Sequence, residues 1–189
     1  MTHSSHIRKV ARWANRQSAI MLLLILVAYG ALGLPNFLTE FNVAAIFYQY
    51  SIIGLLALGQ LLVILTAGID LSQGAVVALT SITTAKIMSS YGLLPGILGG
   101  VALATCMGVI SGLLVSRTSM PPFLVTLGML GISRGLAMQI ANARPVPVKI
   151  PSFNSFGQSS IWAITSSACI WAAVCVVLYY FLSRRRLGR

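Results

Sequence analysis

The chain has 189 residues, of which 57% are hydrophobic and only 8% charged, against ~25% charged residues in soluble globular domains. A soluble fold of this length has too little interior for that much apolar surface, and disorder is excluded because disordered segments are poor in hydrophobic residues and rich in charge. The composition places the chain in a bilayer, and its formal charge of +11 reads there as an orientation signal rather than as a nucleic-acid-binding face.

In chain order, residues 1–17 form a basic tail with Arg8, Lys9, Arg12 and Arg16. His3 and His6 in that tail read as solvated rather than metal-bound. A membrane helix needs about 20 mainly apolar residues, and the sequence divides accordingly. Residues 18–34 are a first span, favoured over a signal peptide because no Ala-x-Ala cleavage site follows. After a polar turn at Pro35–Glu40, residues 43–69 form a second span without charge. A third, at 75–90, carries Lys86, which must snorkel from near one end. A fourth covers 93–115, and a tight connection from Arg117 to Pro122 leads to a fifth at 123–140 with Arg134 inside it. A polar loop with Arg144, Lys149 and three prolines precedes a sixth at 161–182. Cys106, Cys169 and Cys175 lie in apolar runs without metal-ligand spacing and read as small hydrophobes.

The expected fold is therefore all-α, a polytopic transmembrane bundle of about six spans over residues 18–183, with both termini cytoplasmic. Nine basic residues then fall inside: the four of the tail, Arg117, and Arg184, Arg185, Arg186 and Arg189. Arg144 and Lys149 fall outside, in keeping with the positive-inside rule.

Small residues recur every four positions along the fourth span: Gly92, Gly96, Gly100, Ala104, Gly108, Gly112 and Ser116. Residues four apart form one ridge, and a ridge without side chains admits a close neighbour. This predicts a helix buried at the centre of the bundle.

Asp70 and Arg134 are the costly residues. Asp70 ends a long uncharged run and is followed by Ser72, Gln73 and Gly74, so two compatible readings stand. Gly68 ends one helix while Asp70 N-caps the next, with Gln73 at capping-box spacing, or the interrupted segment builds a transport site. Arg134 lies ~18 Å into its span, too deep for an interfacial anchor. It needs water or a partner, and Asp70 serves only if the break lies near mid-membrane. There is no catalytic triad, carboxylate pair or phosphate loop, so the chain reads as no enzyme and binds no cofactor of its own.

Two segments carry a resemblance. Thr66-Ala67-Gly68-Ile69-Asp70-Leu71-Ser72-Gln73-Gly74 resembles a signature of bacterial ABC importer permeases for monosaccharides, of the ribose, arabinose and xylose type. Met120-Pro121-Pro122-Phe123-Leu124-Val125-Thr126-Leu127-Gly128, continuing through Ser133-Arg134-Gly135, resembles the family's second signature. Ala67 stands where the family commonly has Gly, and Gln73 where it commonly has Val. The resemblance implies an inner-membrane permease subunit paired with a second copy, a periplasmic sugar-binding protein and a separate cytoplasmic ATPase. It makes Gly68, Asp70, Ser72, Gly74 and Arg134 candidates for the substrate path or its gate. Pro121, Pro122, Phe123, Thr126, Gly128 and Gly135 become structural motif positions. Residues 184–189 resemble the start of a cytoplasmic loop that continues in the family, so the expectation is the N-terminal portion of a permease. The alternative from a different class is a non-transporting membrane module.

Overall fold

The computed structural model describes residues 18–148, 150–161 and 164–184. The basic tail with its histidines, Lys149, and Arg185, Arg186 and Arg189 lie outside the described residues. The chain forms two compact units, Met1–Ile46 and Phe47–Arg189, with the boundary inside a helix.

In the first unit, α1 covers Ser18–Gly33. The ring of Phe37 folds back onto Gly30, where an added Cβ would come within 2.6 Å of it. Thr39 then starts α2, Glu40–Leu65. Its hydroxyl accepts the Asn42 N–H at 3.4 Å and its carbonyl the Val43 N–H at 3.0 Å, the bonding of an N-cap.

In the second unit, α2 is followed by a break and then by α3, Gln73–Tyr91, α4, Leu93–Arg117, and α5, Pro122–Ala141. Pro121 and Pro122 open α5, where a missing N–H costs nothing and the fixed φ is helical. Asn142, left-handed at φ 51, closes it.

The centre is α3 rather than α4, because α3 packs extensively on both α4 and α5 while those two touch less. Leu79, Met107, Met129 and Ala137 form the core, with Val76, Ile82, Leu103 and Ile140 against it. The buried residues of α5, Val125 and Thr126, then Met129, Ser133 and Ala137, follow steps of three and four after the first pair and so line one face.

Among the described residues, four helices are long and apolar enough to cross a bilayer: α2, α4, α5 and a last helix, α7, at Ser166–Arg184. The fold is thus a multi-pass helical bundle. The 16 residues of α1 fall short of that length. The 19 residues of α3 are less apolar. Hydroxyls of α3 are satisfied within the helix, Thr80 by the Val76 carbonyl at 2.8 Å and Thr83 by that of Leu79 at 2.9 Å. A helix at the centre of the bundle tolerates such groups better than one facing lipid.

Two helix ends lie four or five residues from the expected span ends. The helix of the second span ends at Leu65, four residues before the expected Ile69. The sixth begins at Ser166, not 161, because Thr165 caps it, its hydroxyl accepting the Ala168 N–H at 3.3 Å. Ahead of that cap the expected loop holds a short helix, α6, at Pro151–Gln158, and a two-residue antiparallel pair. In that pair β1 is Ser160–Ile161 and β2 is Ile164–Thr165.

The small-residue ridge of α4 is also divided. Gly96 and Gly100 are buried against Met88 and Thr84 of α3, whereas Gly108 and Gly112 have nothing within 4 Å of a built Cβ. An added methyl at Gly96 would meet the Met88 backbone N at 3.0 Å and Cα at 3.1 Å. Gly96→Ala is therefore expected to destabilise by ~1–3 kcal/mol through overpacking, and Gly112→Ala to stabilise by ~0.5–1 kcal/mol through helix propensity. Thermal unfolding in detergent checks this, and shifts of the same sign for both variants would contradict the divided ridge.

Candidate functional site

The site is built around the break between α2 and α3. At its start, the Ala67 N–H bonds the Ile64 carbonyl at 2.9 Å and the Gly68 N–H bonds the Val63 carbonyl at 3.0 Å. These are the two bonds of a Schellman ending, which needs a left-handed residue at its first non-helical position. Ala67 is that residue, with φ 56. Gly68, expected to end the helix, supplies the second of these bonds and is not itself left-handed.

Asp70 does not N-cap α3. Its Oδ1 instead accepts the Ser72 N–H and the Ser72 hydroxyl, each at 2.7 Å, an Asx-type turn two residues long. Ser72 is the N-cap, its carbonyl taking the Val76 N–H at 2.9 Å. Gln73 is then the first helical residue, so no capping box forms. With its amide oriented to suit its neighbours, the Gln73 side chain donates to the Leu56 carbonyl and accepts from the Gln60 N–H, each at 3.1 Å. Those two groups lie four apart in α2, so one side chain clips the start of α3 onto a single rung of that helix.

The two signatures meet at a single bond. Thr126, buried on α5, donates its hydroxyl to the Ile69 carbonyl at 3.2 Å, with the Phe123 carbonyl also at 3.2 Å. The break therefore lies level with the first turn of α5. Arg134 is eight residues further along, ~12 Å up the helix, and its side chain is exposed. Asp70, engaged by Ser72, does not pair with it. Gly128 and Gly135 have no neighbour within 4 Å of a built Cβ.

Beside the break is a cavity of about 220 Å³ lined by Asp70, Ser72 and Gln73, by Leu56 of α2, by Val76 and Val77 of α3, and by Ala104, Met107, Gly108 and Ser111 of α4. Of the expected path residues it gathers Asp70 and Ser72, and not Gly68, Gly74 or Arg134. Ala104 and Gly108 supply space, which explains why the ridge continues beyond its contact with α3. A carboxylate, two hydroxyls and an amide in an otherwise apolar wall can exchange hydrogen bonds with a small neutral polar solute. Gln73 and Ser111 are missed as site residues in the sequence reading; the amide at Gln73 in place of Val was the one available signal.

A family model described as "Branched-chain amino acid transport system / permease component" matches residues 42–189. The chain belongs to this permease family. The D-allose transport system permease protein of Escherichia coli K12 is 35% identical over 179 residues, covering 94% of this chain and 55% of that protein. The ribose import permease protein of the same organism is 32% identical over 182 residues, covering 94% and 57%. The fructose import permease protein of Rhizobium meliloti is 34% identical over 180 residues, covering 90% and 50%. The chain spans about half the length of these permeases, and their names agree with the resemblance drawn from the two signatures. No solved structure matches the chain.

Within this permease, Ala67 occupies a conformation that costs an L-residue ~1–2 kcal/mol. Restoring glycine releases that strain and returns ~0.4–1 kcal/mol to the unfolded chain as entropy. Ala67→Gly is accordingly expected to raise the unfolding midpoint in detergent by ~1–4 °C. An unchanged or lowered midpoint would mean that residue 67 is not left-handed.

Proposed function

We propose that the chain is a membrane permease subunit of an ATP-binding-cassette importer that carries a monosaccharide, a ribose-like pentose or a hexose, across the bacterial inner membrane. The observation that carries the reading is the hydroxyl-, amide- and carboxylate-lined cavity beside the break of the first signature, walled by α2, α3 and α4. The sugar names of the relatives support the substrate class, and both lines weigh against a non-transporting module. Six crossings with both termini cytoplasmic require α1, shorter than a full span, and α3, less apolar but central in the bundle, to cross alongside the four long apolar helices. ATP hydrolysis belongs to a separate cytoplasmic subunit. A periplasmic sugar-binding protein and a second permease subunit, a homodimer partner, complete the assembly, with no nucleic acid involved.

In this reading the segment Gly68–Gly74 gates the path. Interrupted helices are the moving parts of many transporter sites, and a few hydrogen bonds of ~1 kcal/mol each hold this one, a cost that nucleotide binding can outweigh. Asp70 and Ser72 face the passing sugar, with Gly68 and Gly74 as hinges. Arg134 lines a more distant part of the path.

The test is uptake of radiolabelled ribose, D-allose, arabinose and fructose by cells that make this chain with its ATPase and binding protein. Uptake of at least one sugar is expected. Asp70→Ala should lower it by about tenfold or more, since a hydrogen bond to a charged group contributes ~1.5–3 kcal/mol. An assembled complex that takes up none of the four would overturn the sugar assignment.

A further inference from the structure

Each polar side chain in the wall of the cavity beside the break can be followed to its partners, and what is left over is lopsided. Asp70 takes the Ser72 N–H and the Ser72 hydroxyl on Oδ1 alone, each at 2.7 Å, so Oδ2 has no partner among the described residues. The Ser72 hydroxyl uses its hydrogen in that bond, and the Ser111 hydroxyl donates to the Met107 carbonyl at 3.0 Å. Both oxygens keep only lone pairs for a solute. Gln73, with its amide oriented as above, gives one N–H to the Leu56 carbonyl and has a second to give. These side chains thus offer three accepting oxygens and one donating N–H, and among the described residues lining the cavity Asp70 alone is charged.

We infer that this imbalance makes the cavity a selectivity filter that admits neutral solutes rich in hydroxyl hydrogens and turns away sugar acids and sugar phosphates, with Asp70 and Gln73 as the specificity-determining pair. The inference rests on the importer reading for its cargo, whereas the charge preference belongs to the cavity whatever passes.

A hydroxyl both donates and accepts, so neighbouring hydroxyls of one solute satisfy Oδ2 and the Gln73 N–H together, and the Ser72 and Ser111 oxygens take further hydrogens. A carboxylate or phosphate only accepts. It finds one side-chain donor against three oxygens, and a charge that loses water without gaining partners is far costlier than a neutral group in the same position. The start of a helix ordinarily favours an anion, and α3 begins here. Asp70 already supplies that anion, bound to the N-cap Ser72, and Gly74 and Ala75, next in the first turn, are not in the cavity wall. The repulsion reaches across the cavity: at an effective dielectric constant of about 20, two unit charges still set a preference of about tenfold at roughly 12 Å.

Asparagine at position 70 reverses the selection without undoing the turn. Its Oδ1 can accept from Ser72 in the same Asx-type turn, while Nδ2 puts a donor in place of the free acceptor and the charge is gone.

The full chain, with Cys106, Cys169 and Cys175 changed to Ala, is reconstituted in vesicles and given one cysteine, at Ser111 in the cavity or at Ser155, exposed on α6. Methanethiosulfonates with a cationic, an anionic or a neutral head are the probes. The ratio of cationic to anionic rates should be at least about tenfold higher at Ser111→Cys than at Ser155→Cys, and Asp70→Asn should bring the two sites level. No such preference at Ser111→Cys with Asp70 intact, or no reaction there with any reagent, overturns the filter, and neither result depends on how the Asp70 variant folds. The neutral reagent then reads occupancy. At least one of ribose, D-allose, arabinose and fructose should slow it at Ser111→Cys, whereas ribonate and ribose 5-phosphate should not. Asp70→Asn should let ribonate protect, and Gln73→Met should weaken protection by the sugar about fivefold, as for one hydrogen bond, without moving the charge preference. Equal protection by ribose and ribonate with Asp70 intact overturns the filter and leaves the importer reading in place. A charge preference that Asp70→Asn abolishes, with no sugar protecting, upholds the filter and removes the sugar cargo instead.

Discussion

The arrangement depends on how an interrupted helix satisfies its backbone in a bundle built for a bilayer. Hydrocarbon offers no hydrogen bonds, so broken helices persist only where protein groups or a wet cavity receive their polar atoms. Here the Val63 and Ile64 carbonyls are taken by the Schellman ending, the Ile69 carbonyl by Thr126, and the Ser72 N–H by Asp70. The Thr126 bond bridges 57 residues of sequence and makes the second signature the support of the first. Asp70 is thus both a structural acceptor through Oδ1 and a member of the cavity wall.

From that anchor the rest of the bundle follows. With the start of α3 held against α2 by Gln73 and against α5 through Ile69, α3 becomes the central helix, and the small residues of α4 serve two purposes along one ridge. Gly96 and Gly100 admit α3 at close range, while Ala104 and Gly108 leave the cavity its volume. Removing side chains is the common device: it lets a backbone in at one place and a solute in at another.

Much of this was legible in the sequence. The helices expected at 93–115 and 123–140 emerge as Leu93–Arg117 and Pro122–Ala141, because the proline pair at 121 and 122 and the asparagine at 142 are strong local signals. The break was visible in Asp70 and its polar followers, but its geometry was not. Gly68 is the better left-handed residue by intrinsic preference, yet the bonds from residues 67 and 68 set the turn so that Ala67 takes that conformation. Likewise Asp70 was a sound N-cap by type, but its carboxylate closes on Ser72 two residues on, moving the helix start to Gln73. The cavity was legible only in part, since Ser111, Met107 and Leu56 lie on other helices, and nothing local to them marks which face meets the break. The four-residue ridge announced close packing without revealing that half of it faces open space.

The Thr126 hydroxyl holds the break in place through the Ile69 carbonyl, and amide hydrogen exchange of residues 66–74 in Thr126→Val reads out that bond. Loss of one buried hydrogen bond worth ~1 kcal/mol should speed exchange across this segment about fivefold, with the α4 amides unchanged. Exchange of the segment at the wild-type rate in a folded variant would show that the break holds itself, and that the two signatures are neighbours without being joined.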